Sequence, residues 1–572
     1  MVFAYELSLS EIWGEYAIHA NKCSHACFLL FPLTALAVTL FFAYQYGYTN
    51  SDMSVELILA RHLADTGRLL STEWFYTTEL RFANTQLITM PLFLFLDNWA
   101  TVRLISAVIA NTILLLSYFY MMKQTVVSWP LICLTSVFLM TPYTHSQLLI
   151  YAWGLFYIPH AVIMFCMIGL LLKLKKEHTH WHFTIYCALA FVAGVGGVRY
   201  IKSIAVPLLL AVGIIEFGRI KANPEFFATE YDIPLLFAMR KAYFKFRTAV
   251  FGVVFIGLGF VVNITAFSRY NFDNMGSMGY QPTENLRATL PSHLSEIFGI
   301  LIEFFGYRPG VRFVSTEGVL SIAGLIFAIG IIAITVHLVR KMHFVADENI
   351  FVVSFAVGSL VFSVFLLLVP VQRGDSLISR YLYLSIIFYI PILAIFFSGI
   401  QRRWHQLVII FIVCTILLGQ SGHFMLRHRH DGVSYRRPVV QFLAESGMKF
   451  GYASFWNAAV TTELSNGEIT VVGLYEQIDF SRTIGHQIHR WGILKQHTHS
   501  VHHHSNEVFL LLDHSQFAIA IAVNAIDVGI VVFECPHFVV IQFENVDTLL
   551  GDPLHGDILK HLLPLRFPAH TG

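Results

Sequence analysis

The sequence predicts an α-helical polytopic membrane protein carrying a small C-terminal α/β domain that folds in water. Three observations predict it. Of 572 residues, 56% are hydrophobic and only 13% are charged, a balance far too apolar for a soluble globular chain. Apolar runs of spanning length recur through the first 424 residues. After HFMLRHRHDGVSYRRP, which begins at His423, the composition turns polar and short β-branched stretches take over.

The apolar runs lie near 26–46, 102–121, 129–144, 148–172, 181–198, 203–218, 247–267, 317–339, 350–370, 381–399 and 406–423. They give about eleven helices of roughly 20 residues each, some short or broken. Glu6, Glu11 and Glu15 precede the first run, a poor match to a cleavable signal peptide, so this run is expected to stay as a membrane helix. Basic residues then set the orientation. Lys173, Lys175 and Lys176, the cluster from Arg219 to Arg247, Arg340 with Lys341, and Arg402 with Arg403 fall on one side if the N-terminus is cytoplasmic. The expected division is a membrane module over 1–424, with outer loops 47–101 and 268–316, and an extracytoplasmic domain over 425–572.

Charge and cysteine usage exclude other classes. A net charge of +1, with basic residues scattered in short clusters, gives no footprint for nucleic acid. The seven cysteines lie mostly in or beside apolar runs and show no disulfide framework. There is no Walker or Rossmann glycine pattern and no repeat of solenoid length.

The first outer loop is chemically dense. From Tyr48 to Leu92 it carries Asp52, Glu56, Asp65, Glu73, Glu79 and Arg81, with Trp74, Phe75 and Tyr76 suited to a headgroup boundary. A carboxylate held at a membrane surface beside a groove for an amphipathic lipid suits a general base. Asp52 is the first candidate, and Glu56, Glu73 and Glu79 are its rivals. Cations gather on the same face at helix ends, where a charge is expensive without a partner. They are Arg199 and Lys202 in GVGGVRYIKSIAVP, Arg373 and Arg380 in QRGDSLISRYLYL, and Arg308 with Arg312 in FFGYRPGVRFVS. Guanidinium forks match phosphate oxygens, although a single arginine can equally be a snorkelling anchor. Gly194, Gly196 and Gly197 permit a bent or closely approached backbone there. His160, on a proline-broken run with Trp153 and Tyr157, is a minor candidate, as is Arg81.

Two further segments have defined expectations. LPSHLSEIFGILIEFFGY repeats its apolar residues at helical spacing, as in an amphipathic helix in the headgroup layer. In the C-terminal domain, GEITVVGL, EVFLLLD, FAIAIAV, GIVVFE and HFVVIQFE read as short sheet-forming stretches. The tract KQHTHSVHHHS, with His497, His499, His502, His503 and His504, could hold a metal ion, but without nearby cysteines it reads as polar loop.

This order resembles the GT-C class of polytopic glycosyltransferases. One helix is followed by a large outer loop opening on an acid in YTNSDMS, then by a many-helix bundle and an outer C-terminal domain. GGVRYIKSIAVPLLLA, FFGYRPG, SRYLYL and YASFWNAAVTTELSNGEI also look like stretches of uncharacterised bacterial multi-pass proteins assigned to that class. The resemblance implies a polyprenyl-phosphate sugar as donor, an extracytoplasmic acceptor, Asp52 as general base and Arg199, Lys202 and Arg380 on the donor phosphate. The paired acidic motif of several members is absent at Asp52, which keeps Glu56, Glu73 and Glu79 in contention. No cofactor is required; a divalent cation could bridge Asp52 and the phosphate, but no ligand set demands one. A flippase for a lipid-linked sugar and a non-enzymatic sensor or assembly factor are the competing classes. Against the flippase stand the lack of an inverted repeat and the placing of the acids in an outer loop instead of at mid-membrane.

Overall fold

The computed structural model describes residues 27–45, 47, 49–76, 80, 82–177, 179–222, 234–272, 280–281, 286–341, 345–368, 371–372, 382–400, 402–427, 432–475, 478, 488–489, 492–498, 507–522, 529–544 and 549. Among these, eight helices are long and apolar enough to cross a membrane: Cys27–Gln45, Trp99–Met122, Ile158–Lys176, Val198–Arg219, Phe246–Thr265, Thr316–Arg340, Asp347–Leu368 and Trp404–Arg427. The chain is a multi-pass membrane protein.

Not every expected run makes a full span. Run 129–144 yields only the 12-residue helix Trp129–Met140, because Pro142 pushes Thr141 out of the helical region and ends it there. Run 381–399 gives the short apolar helix Tyr383–Ser398, and run 181–198 the 17-residue helix His180–Gly196. Run 148–172 opens with a π-turn at Leu149–Trp153 before the helix Ile158–Lys176. Such a break survives in a bundle only where side chains satisfy the freed backbone. Asn111 does so by donating from Nδ2 to the Tyr151 carbonyl at 2.6 Å.

The helices pack in pairs along small-residue seams. His180–Gly196 lies along Pro234–Thr265, and a Cβ on Gly194 would come within 2.0 Å of the Ile256 carbonyl oxygen. Gly197 ends the helix at φ +124°, a conformation open only to glycine. Phe41, Leu116, Ile326 and Phe411 remain exposed round the bundle, as expected where lipid is the solvent.

Short strand pairs join segments between the helices. Phe75–Tyr76 pairs in parallel with Asn271–Phe272, and Tyr280–Gln281 pairs antiparallel with Val371–Gln372. Lys175 meets Asp347 at 3.1 Å, joining two helix ends. The segment read as a headgroup helix forms Leu286–Phe304, whose Ile297, Ile300 and Phe304 are buried in the bundle core. It packs on Thr316–Arg340 and Asp347–Leu368.

The C-terminal region holds a five-stranded mixed sheet. In spatial order its strands are Thr470–Leu474, Phe450–Ser454, Val508–Asp513, Phe538–Phe543 and Ile530–Glu534. The first three run parallel and the last two are antiparallel additions. FAIAIAV falls in a helix, His514–Ala522, instead of a strand. Asp513 initiates it by accepting from the Gln516 N–H at 2.9 Å, and burial of Phe517 and Ala520 follows helical spacing.

Candidate active site

Asp52 sits in the first turn of the outer helix Ser51–Thr66, capped by Asn50, whose Oδ1 accepts from the Met53 N–H at 3.2 Å. Negative charge is stabilised there by the helix macrodipole. The carboxyl is partly exposed. Glu56 lies one turn on, at about the same angle round the helix, and accepts a hydrogen bond from Gln86 Nε2. Tyr76 stands nearby: burial, with a smaller contribution from Glu56, pushes its phenol up to about 12, and its oxygen accepts from the Ser71 N–H at 3.0 Å. Glu73 is exposed on the loop, and Glu79 and Arg81 lie outside the described residues.

The start of this helix is fixed by a buried charge pair. Arg103, in the first turns of Trp99–Met122, grips Glu463 of the C-terminal domain through Nε at 2.9 Å and Nη2 at 2.5 Å. The two side chains are 12% and 8% exposed. Glu463 Oε2 also accepts from Ser54 Oγ at 2.6 Å and Thr49 Oγ1 at 3.0 Å. Ser51 Oγ bonds the Phe455 carbonyl, and Arg103 Nη1 donates to the Trp153 carbonyl. Asp52 is thus bracketed by residues 49, 51 and 54, all tied to the C-terminal domain. None of these partners was among the sequence candidates. Arg103 had a signal, since it is a charge inside the apolar run 102–121, where an arginine needs a partner.

The expected phosphate-binding cations divide into groups. Arg199 lies 5.0 Å from the centroid of the Tyr157 ring, and Lys202 sits partly exposed in the π-turn Ile201–Ala205. His160 is buried, stacks on Tyr200 at 4.6 Å and bonds the Phe156 carbonyl through Nδ1 at 3.0 Å. Tyr383 packs against Tyr157 at 6.1 Å, bringing the described end of the SRYLYL motif to Arg199. Arg373 and Arg380 themselves lie outside the described residues. Arg308 has contacts of its own. It is over the Phe424 ring at 5.6 Å, its backbone N–H donates to Ser321 Oγ at 2.8 Å, and beside it Arg427 pairs with Glu317. Burial, then the charge of Arg427, lowers its pKa.

His497 lies in a short turn; the other histidines of its tract are outside the described residues. Among the described residues there is no group of three or more His, Cys, Asp or Glu placed to hold a metal ion.

No protein-family model and no curated protein sequence matches the chain. Solved structures do. ArnT from Cupriavidus metallidurans bound to undecaprenyl phosphate superposes with a TM-score of 0.53 at 14% identity, over 91% of this chain and 98% of that one. The apo state of the same protein gives 0.55 at 12% identity, over 93% and 100%. The chain has the GT-C fold. A third match, the Archaeoglobus fulgidus oligosaccharyltransferase in complex with Zn and sulfate, reaches a TM-score of 0.46 at 10% identity over 86% and 67%. Within the GT-C fold described here, the outer helix bearing Asp52 is wedged between the bundle and the C-terminal sheet.

Proposed function

We propose that this chain is a membrane glycosyltransferase that moves a sugar from a polyprenyl-phosphate donor to an extracytoplasmic acceptor. The observation that carries the reading is the likeness, over nine-tenths of the chain, to the fold of a protein solved with undecaprenyl phosphate bound. Asp52 is the general base. It takes the proton of an acceptor hydroxyl as that oxygen bonds to the sugar C1, while the C1–O bond to phosphate breaks and the polyprenyl phosphate departs. Arg199 and Lys202, with Arg373 and Arg380, stabilise the charge that grows on the leaving phosphate. Asp52 is preferred to Glu56 because it is the acid in the first turn of its helix, the next helix after the first span.

The test uses purified full-length protein in lipid nanodiscs with a radiolabelled undecaprenyl-phosphate sugar and an outer-envelope glycan fraction. Asp52→Asn is expected to lower turnover by about 10²- to 10⁴-fold with donor affinity retained, and Glu56→Gln to lower it by less than about tenfold. Full turnover in Asp52→Asn removes the assignment of the base. In sealed proteoliposomes, movement of the donor between leaflets without transfer would identify a flippase instead.

A further inference from the structure

A cleft of about 250 Å³ opens between the outer helix and the C-terminal domain, and the proposed chemistry makes no use of it. At 100° per residue, Val55, Ile58 and His62 lie roughly 60° to 160° round the helix from Asp52 and Glu56. His62 is also about 15 Å further along the axis from Asp52. A sugar unit held near His62 is therefore not the unit whose hydroxyl meets Asp52. Two glycines let the walls approach: Gly467 at φ +80° sits against Trp99, and Gly492 at φ +69° against Val55.

The size and lining restrict what could enter. The volume is below the roughly 300 Å³ at which pockets for drug-sized ligands begin, and suits a single pyranose ring. Trp99 and Phe455 edge it with apolar ring carbon and Trp74 lies behind them, 1% exposed, while Arg61, Asp65, Gln496 and His497 supply donors and acceptors round it. The charges among these described residues are already matched, since Arg61 pairs with Asp65 at 3.0 Å and approaches Asp97 at 3.8 Å. His62 bonds Ser71 Oγ at 2.8 Å and stacks on Trp74, and burial lowers its pKa, leaving it neutral at pH 7. A phosphate or carboxylate would need a cation without a partner. A neutral, polyhydroxylated ring with one apolar face needs what these walls offer: planar hydrogen-bonding groups beside aromatic carbon.

We propose that this cleft binds one neutral sugar unit of an extended glycan acceptor, remote from the unit that reacts. The role as acceptor rests on the proposed transferase activity; sugar binding in the cleft does not.

Saturation-transfer NMR on the full chain in detergent tests it, using the methyl glycosides of glucose, galactose and N-acetylglucosamine, with glucose 6-phosphate as the charged counterpart. At least one neutral glycoside is expected to bind. Its affinity should fall at least tenfold in Gly473→Val, which fills the cleft at a position where a Cβ meets nothing closer than 3.5 Å. It should also fall in Asp65→Ala at the exposed rim, and stay unchanged in Asp52→Asn. Absence of binding by every neutral glycoside, a response to the phosphorylated sugar alone, or affinity unchanged from the parent chain in both cleft variants overturns the proposal. Binding that persists in a protein showing no transferase activity keeps the sugar site and removes only its role as acceptor site.

Discussion

The Arg103–Glu463 pair is where a single side chain matters most. Both ends are desolvated and fully bonded, so removing one strands the other: Arg103→Ala or Glu463→Ala should each lose about 3–5 kcal/mol. Arg103→Ala and Glu463→Ala together should lose less than the two single effects combined. Thermal unfolding of the four proteins in detergent, read as a double-mutant cycle, measures this coupling. Additive losses would show that the pair acts through surrounding packing alone. His489 gives a second prediction at this scale. It is buried against Phe455 and Tyr475 at 4.7 and 5.3 Å, and burial lowers its pKa from 6.5 to about 4. Between those values the unfolded chain binds the proton and the folded one does not, so stability should fall as pH drops from 6.5 and level off below 4. Substituting His489→Gln should flatten that part of the stability profile; an unchanged slope would assign it to other groups.

Among the elements, the helix pair His180–Gly196 and Pro234–Thr265 depends on backbone approach. Gly194 meets the Ile256 carbonyl and Gly259 the Phe191 carbonyl, each at about 2 Å from a would-be Cβ. Neither contact can yield by a rotamer change. Gly194→Ala should therefore lower the unfolding temperature by several degrees, since overpacking a close contact costs about 1–3 kcal/mol. Gly213→Ala, with nothing within 4 Å, should be neutral or slightly stabilising through its helix propensity. Equal melting shifts for the two would mean that the seam opens freely. The outer helix has a different kind of support. Main-chain bonds from Phe75 to Ile493 at 2.9 Å and from Lys495 to Glu73 at 2.7 Å stitch the loop that follows it to the C-terminal domain.

For the whole molecule, these contacts mean that the C-terminal domain is part of the scaffold that holds Asp52. A chain ending at Arg427 leaves Arg103 without Glu463, and takes from Ser51, Ser54 and Thr49 the acceptors they find in the C-terminal domain. It should lose transferase activity towards every acceptor, and amide exchange across Ser51–Thr66 should rise. A truncated protein that keeps turnover on a small soluble acceptor would make the domain a recruiting module instead.

What the sequence determined by itself was whatever is written in composition and local period. Length of apolar run specified most of the spanning helices, and the polar shift near 425 marked the sheet region. These signals are legible because hydrophobic burial and helical spacing act on neighbours in the chain. FAIAIAV misleads for the same reason: a short apolar run fits either a strand or a helix, and its packing decided between them. Only the tertiary structure paired Arg103 with Glu463, 360 residues apart, and put Tyr157 under Arg199. A desolvated charge requires a partner, but electrostatics sets the need and the fold alone chooses who meets it.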